Sequence, residues 1–489
     1  MGNRRQFLKN AVGTAALASI QGVLTTRQSA AAEVLEPSLL LDFRKPVNRI
    51  RALHGVNKGP LQAGGLVDVI AAHRELGVPL TRLHDCHWPN ADVVDMHAIF
   101  PDPTADPSDP KSYDFRLTDE YLTAIRETGS EILYRLGETI ESGKVQRYVH
   151  PPKDPARWAQ AAIGIIRHYN EGWANGFQYN IRRWEIWNEP ETRPGMWTGT
   201  DEEFFRFYTI VSRTLKAAFP QLMIGGPGIG ITGELVGDEL KPSAILTGFL
   251  ETCKRESLPL DFLSWHCYSA SSNPMELPTR AHCIRRLLDA YGFTRAESYL
   301  DEWRNIPDYN WAPIDRKTPP LVRRAWYERM SGPEAAAYVT AVLLGLQDAP
   351  VEAANFFHGE TGGWGLFDES GVPYKNYYGL LAFRRLLDTP ERAKLHGALP
   401  SGIAVGAGRA SDGKSVGILI SNYAASPNPI RLKLEGLPWP NAVIRSVHMV
   451  DEQNDLAAVA GKARLETWNT LTLSMQTPSV ALITLAPAT

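Results

Sequence analysis

Two short runs place acids where a folded chain could use them together. "RRWEIWNEPE", residues 182–191, sets Asn188, Glu189 and Pro190 after a strand-forming stretch, and "YLDEW", residues 299–303, does the same with Glu302. A Glu followed directly by Pro stops the strand, which places Glu189 at its end. Two facing carboxyl groups can cleave a glycosidic bond: one protonates the leaving oxygen while the other attacks the anomeric carbon. Retention of configuration requires them to stand ~5–5.5 Å apart. Asn188 is suited to hold a sugar 2-hydroxyl, which gives Glu189 the acid/base role. Around Glu302, His266 and Tyr268 of "DFLSWHCY" and Arg82 and His84 of "TRLHD" can donate hydrogen bonds or positive charge, keeping it ionised as a nucleophile must be. Arg82 is read as a support for that carboxylate and His84 as a sugar ligand. Trp187, Trp303 and Trp364 offer flat faces to sugar C–H groups, while Trp184 and Trp265 are assigned to the core. Glu191 and Asp301 are expected to be supporting or outward-facing.

"HDCHW", residues 84–88, contains the residue types of a metal site. Strand alternation divides them, His84 with Cys86 on one face and Asp85 with His87 on the other. No second His/Cys group completes a four-ligand zinc set. No metal and no cofactor is expected. Cys86, Cys253, Cys267 and Cys283 form no CxxC pair, so no disulfide scaffold is expected either.

Positioning two such acids requires a scaffold whose strand ends converge. From residue 48 to 358, within a domain read as 48–394, short apolar runs alternate with amphipathic ones, the pattern of an α/β fold with a parallel sheet. Eight strands are expected, at 50–57, 79–85, 131–138, 182–189, 222–228, 261–268, 297–303 and 352–360, closing as a (β/α)8 TIM barrel. Most end in His, Asp, Asn, Glu or Gly, at the mouth where barrel chemistry sits. The Pro- and Asp-rich stretch 100–114 is read as a mouth loop shaping a substrate pocket. Residues 395–489 carry only short β-rich runs, an all-β sandwich, and a strand within 33–47 is expected to join it.

Residues 1–32 combine Arg4 and Arg5, a modest apolar stretch and "SAAA", the pattern of a twin-arginine export signal. A periplasmic or secreted bacterial protein follows as an expectation. Removing the segment deletes Arg4, Arg5, Lys9 and Arg27 and no acid, taking the formal charge from −3 to −7. A mildly acidic chain without a basic cluster or long apolar span argues against nucleic acid or membrane as partner. An oligo- or polysaccharide substrate remains, and homo-oligomerisation is left open.

"WEIWNEP" and "YLDEW" resemble the acid/base and nucleophile motifs of clan A glycoside hydrolases. "TRLHD", "DFLSWHCYS" and "FFHGETGGWGLFDESGVPYKNYYGLLAF" are similar, more narrowly, to family 39, which contains β-xylosidases and α-L-iduronidases. The resemblance implies a retaining, β-xylosidase-like hydrolase needing no cofactor. It implies Glu189 as acid/base, Glu302 as nucleophile, and His84, Asn188, His266 and Tyr268 as sugar contacts. It also places His358 and Glu360 where the eighth-strand loop contributes a ligand. Around the nucleophile the family more usually has Thr-Glu-Trp-Asn, whereas this chain has Asp301, Glu302, Trp303 and Arg304, and "HGETGG" is also a departure. An endo-acting exopolysaccharide glycosidase and a non-catalytic carbohydrate-binding barrel stand as alternatives.

Overall fold

The computed structural model describes residues 39–61, 67–86, 88, 92–269, 273–426, 429–467 and 469–488. Residues 1–32, expected to be an export signal, and His87 lie outside the described residues. Strand β1 (Leu39–Asp42) precedes the barrel. The barrel strands are β2 (Gly55–Asn57), β3 (Leu80–Arg82), β4 (Glu131–Leu136), β5 (Arg183–Ile186) and β6 (Met223–Ile229). After a hairpin of β7 (Gly233–Val236) and β8 (Glu239–Pro242), they continue as β9 (Phe262–Tyr268), β10 (Glu297–Arg304) and β11 (Ala353–Phe356). All eight pair in parallel and close in chain order, β11 returning to β2. Most strands are shorter than the apolar runs suggested. Glu189 lies three residues beyond the end of β5, in the mouth loops and not in the ladder.

Side-chain alternation fills the interior in layers. Leu80, Leu133, Phe262, Tyr299 and Ala353 form a small apolar cluster of their own at the floor. Two residues further along β3, β5, β9 and β10 come Arg82, Glu185, Ser264 and Asp301, a buried polar layer. A further step along β9 gives His266 and then Tyr268. Strict alternation on β10 would turn Glu302 outward. The register against β9 shifts between Leu300 and Glu302, so Asp301 is an extra residue and Glu302 pairs with His266. This bulge lets two adjacent acids face the interior together.

The helix signals correspond to capped helices. Asp154 caps the helix Pro155–Glu171 by accepting from the Arg157 N–H, and Thr200 and Glu203 form a reciprocal capping box at Asp201–Ala218. The stretch 100–114 contains one short turn of helix. Its Thr104 and Ala105 carbonyls accept from Arg157, which ties it to the helix after β4 and not to the paired acids.

Two further sheets follow the barrel, one five-stranded and one six-stranded, with their own apolar core. In β1, Leu39 and Leu41 point into that core. The strand pairs in parallel with Ile430–Glu435 and antiparallel with Lys394–His396, so a segment before the barrel belongs to the sheet after it. The helix Pro333–Gly345 is apolar on every side because it packs between the barrel and the six-stranded sheet, with Ser421 Oγ donating to the Ala337 carbonyl at 2.7 Å.

Candidate active site

Arg82 is the hub of the mouth. Its side chain is fully buried. Nε donates to Glu185 Oε2 at 2.7 Å, Nη1 to Asn57 Oδ1 at 3.0 Å and Glu302 Oε2 at 3.1 Å, and Nη2 to Asn188 Oδ1 at 2.6 Å. One planar fork thereby fixes four residues from three strands or their ends, β2, β5 and β10. Asp301 Oδ2 also lies 3.1 Å from Nε. Burial alone would raise the Glu185 carboxyl, but Arg82 holds it below the ordinary range. Burial and then the Glu185 charge hold Asp301 well above it. Asp301 is therefore the protonated member of the pair, donating toward Glu185, which avoids a third buried anion around one cation.

Glu302 is surrounded by donors. Besides Arg82, Tyr268 donates its hydroxyl to Oε1, and His84 Nε2 and His266 Nδ1 stand 3.2 and 3.7 Å from Oε2. Burial would raise Glu302, but His266, His84 and Arg82 outweigh it and hold the carboxyl well below its usual range. Burial holds His84 well below the ordinary imidazole value, as a neutral ring, and the Asp85 N–H donates to its Nδ1 at 2.9 Å. Nε2–H is then the donor toward Glu302.

Glu189 reaches the same space from the opposite wall. A carboxylate oxygen of Glu189, one of Glu302 and a ring nitrogen of His266 lie within 4.8 Å of one another. His266 Nδ1 is 2.7 Å from Glu189 Oε1, and Thr192 Oγ1 donates to Oε2 at 3.3 Å. Trp187 and Glu189 both adopt left-handed backbone, φ +73° and +43°, uncommon for residues with side chains. That bend carries Glu189 from the strand axis over the mouth, and its N–H donates to the Gly228 carbonyl at 3.0 Å. Opposite it, the run after β6 must be bare. A Cβ on Gly230 would stand 2.4 Å from Glu189 Oε1. Gly230→Ala is therefore expected to displace the acid and lower kcat/KM on the order of 10²-fold, with an unchanged melting temperature. An unchanged rate on a phenyl glycoside would show that Glu189 does no work at that position.

Asn188 offers its Nδ2 group with no hydrogen-bond partner among the described residues. Trp364 is half-buried. It lies beside Tyr268 and Phe357 and is stacked on Trp311 at 6.1 Å. His358 and Glu360 are buried in the same eighth-strand loop, where the Glu360 N–H donates to His358 Nδ1 at 3.2 Å. Arg304 holds this loop. It donates to the Phe357 and Trp364 carbonyls on one nitrogen and to the Met330 carbonyl at 2.8 Å on the other. The unusual Arg after the nucleophile motif is thus a clamp on the loop carrying His358, Glu360 and Trp364.

Trp303 does not face the mouth. It is fully buried and packs edge-on against Phe356 at 5.4 Å, because the neighbour of an inward residue on a strand faces the helices. Its indole is closed to a sugar. Trp187 is likewise packed, against Trp197 and Phe207. Asp301 faces inward, not outward. Glu191 Oε1 accepts from the Ile231 N–H at 2.6 Å, and burial with the Glu189 charge pushes it up to about 7. Residues the sequence did not single out are Asn57, Lys58 and Glu185. Asn57 and Lys58 follow one another at the end of β2, and that position was their only signal.

Among the described residues two groups bring ligand-type atoms together. Glu189, His266 and Glu302 sit beside the Arg82 guanidinium, and His266 is raised to about 9, so a cation there meets two positive groups. In the other, Asp92, Asp95 and His97, both Asp95 oxygens are taken, by Arg135 and by the Thr139 N–H.

Fold and paired carboxylates together define a class, the (β/α)8 barrels of the glycoside hydrolase type. The chain belongs to glycosyl hydrolases family 39, whose family model matches residues 75–384. It is 25% identical over 309 residues to a β-xylosidase of Caldicellulosiruptor saccharolyticus, an alignment covering 54% of this chain and 55% of that protein. The chain spans about half the length of the curated relatives it matches. Among solved structures it superposes on a glucosidase from Croceicoccus marinus with a TM-score of 0.76 at 26% identity, covering 92% of this chain and 99% of that one. A family 39 β-xylosidase from Caulobacter crescentus gives a TM-score of 0.64 at 19% identity, covering 92% and 99%, and speaks to the fold alone.

Proposed function

We propose that this chain is a retaining glycoside hydrolase, β-xylosidase-like, acting on an oligo- or polysaccharide outside the cytoplasm. The observation that carries this is the approach of Glu189 and Glu302 to within 4.8 Å around His266, in environments of opposite character. Glu302 is saturated with donors and stays anionic. Glu189 accepts from Thr192 and lies nearest to an imidazole, at 2.7 Å, that can exchange a proton with it. In the first step a Glu302 oxygen bonds to the anomeric carbon as the bond to the leaving oxygen breaks, and Glu189 gives that oxygen its proton. In the second, water attacks the anomeric carbon, Glu189 takes its proton, and the ester to Glu302 breaks. Two inversions restore the configuration. Asn188, with its Nδ2 group unpartnered, holds the 2-hydroxyl, and Trp364 lines the sugar's flank. The twin-arginine pattern at the start of the chain supports export.

Hydrolysis of 4-nitrophenyl β-D-xyloside, β-D-glucoside and α-L-arabinofuranoside, followed by proton NMR from the first minutes, tests the reading. The first-formed sugar should carry the anomeric configuration of its substrate. Inverted product would refute double displacement.

A further inference from the structure

Lys58 follows β2 directly, and its backbone has φ +61°, a left-handed conformation for a residue with a long side chain. The residue is 4% exposed. Its ammonium stands 3.7 Å from Asp85 Oδ2, 3.9 Å from Glu360 Oε2 and 5.2 Å from the centre of the Phe357 ring. Both ion-pair distances exceed hydrogen-bond length, and among the described residues no acceptor takes any of its three protons. A buried ammonium without acceptors is costly, and a purely structural lock would close to about 2.8 Å on one carboxylate. A hydroxyl oxygen seated beside such a pair, about 2.8 Å from each partner, can accept from the ammonium and donate to a carboxylate at once.

The position connects this group to the reacting atoms. Asp85 contacts His84 Nδ1, and His84 Nε2 is 3.2 Å from Glu302. Phe357 lies under Lys58 on one side and is flanked by His84 at 5.3 Å and Tyr268 at 6.2 Å. Lys58, Asp85 and Glu360 thus come from the ends of β2, β3 and β11. Glu189, on the leaving-group side, comes from the end of β5 across the mouth.

We infer that Lys58, with Asp85 and Glu360, forms the hydroxyl-recognising end of the sugar pocket, selecting a neutral pyranose with adjacent hydroxyls remote from the cleaved bond. The inference rests on the hydrolase reading above. Asp85 and Glu360 turn carboxyl oxygens toward the ammonium from two sides, so a uronic acid's carboxylate entering beside it meets acceptors and like charge, whereas a pair of hydroxyls can accept from the ammonium and donate to the carboxyls.

The test compares Lys58→Met with the wild type on the better of the 4-nitrophenyl β-D-xyloside and β-D-glucoside, on its 3-deoxy and 4-deoxy analogues, and on the β-D-glucuronide. The variant should lose on the order of 10²-fold in kcat/KM on the parent, and less than about threefold on the deoxy analogue lacking the contacted hydroxyl. The wild type should prefer the neutral glycoside to the glucuronide by at least ~10²-fold. Asp85→Asn, checked for folding by its melting temperature, should show the same hydroxyl dependence if Lys58→Met does not fold. Equal losses on parent and both deoxy analogues, or preference for the glucuronide, overturns this inference while leaving the hydrolase reading standing. A wild type that cleaves none of the glycosides overturns both.

Discussion

Glu302→Ala is expected to lower turnover of an activated aryl glycoside on the order of 10⁴-fold or more, and added azide should restore part of it as a glycosyl azide of inverted configuration. The expectation follows from what the surrounding side chains do to this carboxyl. Tyr268, Arg82 and His84 each aim a donor at it, and His266, His84 and Arg82 together outweigh burial, so the group is anionic throughout the neutral range. Its depressed value also fixes the acid side of the profile: activity should persist as pH falls through the ordinary carboxylate range and be lost only below it. Removing the side chain leaves the donors in place around a space sized for a small anion. Azide bound there attacks from the face Glu302 used, forming a carbon–nitrogen bond as the bond to the leaving oxygen breaks. With no second displacement, one inversion remains. Near-native turnover in the variant, or an azide adduct of retained configuration, would sink the assignment.

The barrel was legible because strand ends in a parallel α/β sheet are polar only at the mouth, and those ends stand out against continuous apolar runs. His266 and Tyr268 could be put on one face by counting in twos along β9. The same counting already separated Glu302 from Trp303, and assigning both to the sugar asked two neighbours on a strand to face the same way; the structure puts Trp303 against Phe356. The bulge at Asp301 was not legible, since a register shift depends on the partner strand and leaves no mark in "YLDEW". Without it Asp301 would occupy the interior and Glu302 would not. Arg82 was recognisable as a support for Glu302, but its ties to Glu185, Asn57 and Asn188 are contacts across the barrel between residues up to 106 positions apart. Lys58 escaped notice because a Lys after a strand end is usually solvated. Only the closed barrel shows it buried between Asp85 and Glu360.

Glu189→Ala should behave differently from the loss of Glu302, and the difference lies in the leaving group. On phenyl glycosides, whose leaving oxygen needs a proton, kcat/KM should fall by ~10²–10⁴-fold, while 2,4-dinitrophenyl glycosides should form the glycosyl ester almost as fast as with the wild type. Their hydrolysis would then stall at the second step, for want of a base, and show a burst. Burial would depress His266, but the Glu302 charge and the hydrogen bond to Glu189 raise it to about 9. The His266 ring, 2.7 Å from Glu189, therefore keeps its proton until the pH climbs through about 9, and the basic limb of kcat/KM on phenyl substrates should report the loss of that proton beside the acid. His266→Gln should remove the limb near pH 9, because the ring whose proton is lost there is gone. Glu189→Ala should flatten the limb too, since with no acid left the first step no longer depends on the His266 proton beside it. Equal losses on phenyl and dinitrophenyl substrates would contradict the acid role, because only the first needs the proton.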